Sequence, residues 1–173
     1  MGFDVSYLTV IGKTRDEALV MLGLRDTGER VDFPEHGFTG AVIPAGYLVF
    51  SQDFEWVMPE RIAHCSKGAN IVAVQVHEGT MISVARFYHD GAERWSVTHV
   101  GCDDPESLEI NGKPPAPFDD IRARFTAEID EEEDKVFEIP VETARAIFGF
   151  RYDLVEGDWG AEPHWTTLAV ERS

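Results

Sequence analysis

The chain has 173 residues, and its 32 Asp and Glu residues against 15 Lys and Arg residues give a formal net charge of -17. This excess of acid argues against a protein that grips nucleic acid backbone or anionic lipid, because both tasks need a Lys- and Arg-rich surface. Hydrophobic residues make up 43% of the chain, which is enough for a core and excludes a wholly disordered protein. We therefore expect a single domain over residues 1–173.

The first part of the chain predicts a strand–helix unit. Residues 3–11 are rich in Val, Tyr and Thr and predict a strand, and Thr14 and Glu17 form a capping-box pattern that starts a helix ending at Gly23. Residues 25–38 are predicted to be a loop with a short strand near Val31. The next predicted elements are, in order, strands over 39–43 and 47–51, a helix over 59–67 and a central strand, covered on both faces, over 71–76.

The strongest local signal is a β-hairpin whose turn is Asp90-Gly91. This dipeptide favours a two-residue type I′ turn, which pairs residues whose numbers sum to 181 between strands over 81–89 and 92–100. The resulting register places Arg86 opposite Trp95. It predicts a cation–π contact between these two side chains.

The last part of the chain predicts further short elements. Phe118, Ile121, Phe125 and Ile129 form a helical apolar stripe. The acidic run 130–134 is expected in a loop, because five acids at a helix C-terminus would oppose the helix dipole. The remaining predicted elements are strands over 108–111, 136–139 and 166–170, a helix from Pro140 to Gly149, and a Gly-rich acidic loop over 153–164.

Strands outnumber helices in this prediction, and most of them are connected by short turns. This pattern indicates the α+β class. We expect a mainly antiparallel mixed sheet with about four helices packed largely on one face.

Motifs of known chemistry are missing from the sequence. There is no Gly-x-Ser-x-Gly elbow and no Gly-rich phosphate loop, and the six histidines lack the spacing of a zinc site. Cys65 follows His64 in a predicted helix, where adjacent side chains point about 100° apart. We therefore predict no catalytic residue, no metal and no cofactor, and the sequence leans against an enzyme.

The location of the protein is predicted from its two cysteines, Cys65 and Cys102, and from its N-terminal sequence. The chain starts without a basic and apolar leader, and its longest apolar run, residues 40–50, is too short to span a bilayer. We therefore expect two reduced thiols in a cytoplasmic protein.

The acidic residues are concentrated towards the C-terminus, where residues 101–173 carry a net charge of -12 against -5 for residues 1–100. Tryptophans beside carboxylates are typical interface anchors. The sequence thus suggests an immunity- or inhibitor-like protein that binds a basic protein partner through its acidic C-terminal region, which includes the segment 153–173. The predicted contact residues are Asp130, Glu131, Glu132, Glu133, Asp134, Asp158, Trp159 and Trp165.

Two alternatives stay open at this point. The first is a small-molecule-binding protein or enzyme whose site is assembled on the sheet. Its predicted residues are His77, Glu78, Arg86, Trp95 and His99. The second is a protein whose acidity serves solubility alone, with both loop tryptophans folded over the core.

Overall fold

The computed structural model describes residues 2–35, 37–127 and 134–172, which form one antiparallel sheet of nine strands together with four α-helices. The strands are β1 Asp4–Ile11, β2 Leu24–Val31, β3 Phe38–Ile43, β4 Gly46–Ser51, β5 Asn70–His77, β6 Ile82–His89, β7 Ala92–Val100, β8 Glu109–Gly112 and β9 Trp165–Val170. The helices are α1 Arg15–Leu22, α2 Pro59–Cys65, α3 Pro117–Ala127 and α4 Glu138–Phe148, with short 3-10 helices at Phe54–Val57 and Glu78–Thr80.

The strand order across the sheet is β2-β9-β3-β4-β1-β5-β6-β7-β8. The predicted α+β class and antiparallel pairing are confirmed. The strand β9 lies between β2 and β3, so residues 165–170 are built into the interior of the sheet.

The helices occupy both faces of the sheet, whereas the sequence analysis expected them largely on one. Leu19 of α1 and Ile62 of α2 pack with Trp56 on one face, which we call the α1/α2 face. Ile121 of α3 and Phe148 of α4 pack on the opposite face, the α3/α4 face. The reason is that β1, β4 and β5 are apolar on both sides, and a strand of this kind needs a covering layer on each face.

Local signals predicted the first helix well. The side chain of Thr14 accepts a hydrogen bond from the amide of Glu17, and the Glu17 carboxylate accepts one from the amide of Thr14 at 2.9 Å. Gly23 ends α1 in the left-handed conformation, with φ 67°. The hydrogen bonds at these caps are local, so no tertiary contact was needed to predict them.

Two predicted boundaries were wrong. The segment assigned to a loop contains β2, an exposed edge strand that is polar and bulged between Asp26 and Arg30. Polar sequence protects a sheet edge from further pairing, and the same polarity hides the strand from a hydrophobicity pattern. The strand predicted over 136–139 is instead a turn followed by the first residues of α4, and the amide of Phe137 in this turn donates a hydrogen bond to Asp134.

The hairpin turn forms as predicted, but beyond the turn the pairing register of the two strands differs from the prediction by one residue. Tyr88 pairs with Glu93 as expected, but a β-bulge then places Trp95 opposite Phe87. Arg86 therefore faces Ser96, and the predicted cation–π contact with Trp95 is wrong. A shift of one residue moves a side chain to the other face of the sheet. Trp95 is thereby buried on the α3/α4 face, with its ring 6.2 Å from that of Phe87.

Candidate interaction surface

The residues first predicted for partner binding do not form one exposed surface in the described part of the chain. Residues 130–133 lie outside the described residues. Asp134, which precedes α4, accepts a hydrogen bond from His99. Asp158 binds Arg145, a residue in the last turn of α4. These positions lie towards opposite ends of α4, whose 11 residues span about 16 Å. Trp165 is only 4% exposed, and Trp159 is half-buried against the core.

The alternative site residues are also spread apart. Trp95 and His99 are buried on the α3/α4 face, whereas Arg86 lies on the α1/α2 face and donates a hydrogen bond to Gln75. Burial lowers the pKa of Arg86. His77 and Glu78 lie at the end of β5. These five residues therefore do not line a common cavity in the described structure.

His99 is held between two acceptors inside the fold. Its Nδ1 lies 2.7 Å from the carbonyl oxygen of Ser107, and its Nε2 lies 2.7 Å from Asp134 Oδ2. The side chain has no exposed surface. A ring nitrogen that is bonded in this way is not available to a substrate, so His99 fastens the segment before α4 to the sheet.

Exposed apolar side chains instead mark a different surface. Phe3, Phe33, Leu154 and Val155 are 43%, 54%, 36% and 56% exposed, respectively, and they surround one cavity of about 190 Å³. A contiguous apolar surface of this kind usually marks a binding site, whereas single exposed apolar residues do not. We call this cavity the aromatic pocket.

The aromatic pocket is built from segments that are distant in the sequence. Phe50 of β4 and Trp165 of β9 line it on the α3/α4 face, and Phe150 joins them from the loop after α4. The ring of Trp165 lies 5.7 Å from that of Phe150 and 6.1 Å from that of Phe50, both edge to face. These buried contacts favour a preformed pocket, because aromatic pairs with this geometry stabilise each other.

Glu78, which directly follows β5, binds two residues that line the aromatic pocket, Phe3 and Tyr152. Its carboxylate accepts a hydrogen bond from the amide of Phe3 at 3.0 Å and one from the hydroxyl of Tyr152 at 2.8 Å. The rings of Phe3 and Tyr152 meet edge to face at 4.9 Å. Burial raises the pKa of Tyr152, and the hydrogen bond to Glu78 raises it further. Glu78, proposed from the sequence as a ligand residue, therefore positions the walls of another site.

Arg151 holds the loop that forms the other side of the pocket. Its side chain is buried and donates hydrogen bonds to Asp153, Glu138 and Glu142. Burial acts to lower the pKa of Arg151, but the hydrogen bonds to these carboxylates outweigh it and raise the pKa. The carboxylate of Asp153, at the rim of the pocket, is thus paired with a cation within the fold. Asp32 is the other acidic residue of the rim.

A larger cavity of about 530 Å³ lies between α3 and α4. Most of its charges are paired with one another, since Arg145 binds both Glu142 and Asp158 and Arg124 lies 3.9 Å from Glu142. This internal pairing leaves little field for a charged ligand.

Within the described ranges, no group of three His, Cys, Asp or Glu side chains is arranged to hold a metal ion. Likewise, none of the helices found there has the length and apolarity needed to cross a membrane.

The aromatic pocket escaped the sequence analysis because its residues belong to five separate segments. The one usable signal was Phe33-Pro34 between charged residues in a segment predicted to be a loop, since an aromatic residue there is either buried by a distant element or exposed for binding. Comparison of the chain with protein-family models, curated proteins and solved structures gave no match to any of them.

Proposed function

We propose that this chain is an acidic binding protein that engages a positively charged protein partner, in the manner of an inhibitor or immunity protein. The observation that carries the proposal is the aromatic pocket with four exposed apolar side chains around it. The apolar residues there supply a central anchor site of the kind that dominates binding energy at protein interfaces. The proposed contact surface is accordingly the aromatic pocket, in which the buried Trp165 is a lining residue, whereas Trp159 lies outside it.

The size of the pocket favours a partner's side chain over a whole small molecule. Its volume of about 190 Å³ is below the roughly 300–1,000 Å³ of typical small-molecule sites. A single large apolar side chain of a protein partner suits such a cavity. This comparison favours a protein-binding role over the small-molecule alternative.

The charge of the chain favours a basic partner. A net charge of -17 produces a negative field that attracts cationic proteins and raises their association rate. The aromatic pocket then supplies the short-range contacts. Charge of this kind acts mainly on encounter and specificity, so both features are needed for a stable complex.

The test is capture of partners by the tagged chain from a lysate of its native cell, at low and moderate salt. We expect one basic protein to be recovered, and recovery to fall with salt because ions screen the attraction. With that partner purified, the V155S variant should raise the Kd about tenfold or more, because it removes an exposed apolar wall of the pocket.

The matched control is V20S, which makes the same substitution at an exposed valine of α1, an element of the α1/α2 face. It should leave the Kd unchanged. The proposal fails if the partner binds V155S and the wild-type chain equally well. Recovery of no protein, together with a small ligand that raises the melting temperature, would favour the small-molecule alternative.

A further inference from the structure

A second cavity, of about 590 Å³, adjoins the aromatic pocket. It is lined by Val31 of β2, Thr39 of β3 and Thr167 of β9, and it shares Asp32 and Phe33 with the aromatic pocket. A partner segment that fills one cavity therefore has direct access to the other. We call this second cavity the carboxylate pocket.

The width of the sheet explains why this region is open. Nine strands span about 38 Å at roughly 4.8 Å per spacing, whereas two packed helices cover only about 20 Å. On the α3/α4 face, α4 packs on β5, β6 and β7. The surface of β2, β9 and β3 on this face lies at the other end of the sheet and forms part of the carboxylate pocket.

The carboxylate pocket has unbalanced negative charge. The side chains of Glu29, Asp32 and Glu35 line it and make no hydrogen bond or ion pair within the described part of the chain. Its basic residue, Arg30, contacts His164 at 3.1 Å. This differs from the loop at Arg151, where each carboxylate has a cation as its partner inside the fold.

A buried hydroxyl supplies an independent indication of a ligand. Thr39 lines the carboxylate pocket and is only 1% exposed, yet its Oγ1 has no hydrogen-bond partner in the described structure. A buried hydroxyl without a partner is unfavourable, and Thr39 is the one among the four such hydroxyls of the described residues that lines this pocket. Its lone pairs suit a donor such as a guanidinium or ammonium group.

We infer that the carboxylate pocket receives an arginine or lysine side chain that lies close to the apolar anchor of the same partner segment. The cation would meet the carboxylates of Glu29, Asp32 and Glu35, and the ring of Phe33 offers a face for a cation–π contact between the two cavities. This inference rests on the proposed function. It adds the chemistry of the segment that is recognised, an apolar side chain next to a basic one.

The test uses synthetic eight-residue peptides, each with one tryptophan and one arginine separated by zero to two residues in either order. Binding to the full chain is measured by NMR titration at low salt. The tightest arginine peptide should bind about tenfold more tightly than the same peptide with neutral citrulline in place of arginine. The E29Q/E35Q variant should abolish this difference and keep the contribution of tryptophan.

The control variant E55Q/E106Q removes two exposed carboxylates outside both pockets, so it changes the net charge equally. It should retain the tenfold preference. A preference that survives in E29Q/E35Q, or that falls equally in both variants, would overturn the inference. A second variant, T39V, removes the buried hydroxyl and should weaken binding of arginine peptides only; unchanged binding would show that the cation does not enter the pocket.

The outcomes separate the two proposals. Equal binding of arginine and citrulline peptides, with binding still lost in V155S, would overturn the carboxylate pocket and support the proposed apolar anchor. Absence of any binding that depends on Val155 would count against both.

Discussion

At the scale of single residues, a few paired charges hold together the loops that form the candidate surface. The buried Arg151 links its loop to α4, and the partly buried Glu78 links β5 to Tyr152, 74 residues away in the sequence. In the sequence, nothing distinguishes these two residues from the many other charged residues. Their roles follow from burial, because a buried charge must be paired while an exposed one need not be.

Replacement of Arg151 should be strongly destabilising. The R151M variant leaves Glu138, Glu142 and Asp153 close together without their shared cation. We expect the free energy of unfolding, measured with a chemical denaturant, to fall by about 3–5 kcal/mol. The matched variant R122M removes an exposed arginine of α3 and should change it by about 0.5 kcal/mol or less. Equal effects of the two variants would contradict the structural role of Arg151.

At the scale of elements, the structure depends on which face of the sheet each residue occupies. The turn at Asp90-Gly91 sets the pairing near the hairpin end, and the bulge then sets it for the rest of β7. This β-bulge determines which face of the sheet each of the residues 95–99 occupies. Trp95, Val97 and His99 are buried on the α3/α4 face because of it.

Deletions in β7 should therefore have opposite outcomes. Deletion of Arg94 removes the extra residue and keeps Trp95 opposite Phe87, so we expect a folded protein with unchanged near-ultraviolet circular dichroism. Deletion of Ser96 preserves that pair but moves Val97 to the opposite face, so we expect loss of cooperative unfolding. A folded protein lacking Ser96, or an unfolded one lacking Arg94, would show that the register is set elsewhere.

At the scale of the whole molecule, all four tyrosines are buried. Two of them lie in the core on each face of the sheet. Burial raises the pKa of Tyr47 and of Tyr88 to about 12, and it raises those of Tyr7 and Tyr152 further. A folded-state pKa above the unfolded value of about 10 contributes stability below pH 10. That contribution is lost as the pH rises from 10 through 12 and beyond.

Alkaline titration should accordingly show little tyrosinate absorbance near pH 10, where free tyrosine is half ionised. Above this pH, tyrosinate should appear together with the loss of circular dichroism, because unfolding releases the buried hydroxyls. The protein in denaturant serves as the control and should titrate near pH 10. Ionisation of all four tyrosines near pH 10 in the folded protein would contradict their burial.

The prediction of elements succeeded where the signal was local and failed where it was not. The capping box at Thr14 and the turn at Asp90-Gly91 need only their neighbours, and both formed as expected. Only the end of β2 near Val31 was predicted as a strand, because an edge strand lacks an apolar pattern. The start of α4 was misplaced because Val136 and Phe137 resemble a strand. Local propensity is a weak guide wherever tertiary contacts decide the outcome.

The sequence by itself determined the negative charge, the α+β class and most of the elements, because these follow from composition and short-range periodicity. Only the tertiary structure decided which aromatic residues are buried and which carboxylates are paired with a cation. Trp165 became part of the core, while Phe33 remained exposed beside Asp32 and Glu35. The physical reason is that burial and pairing depend on neighbours brought together across the sheet, and a sheet wider than its helices leaves one end of a face without a helix over it.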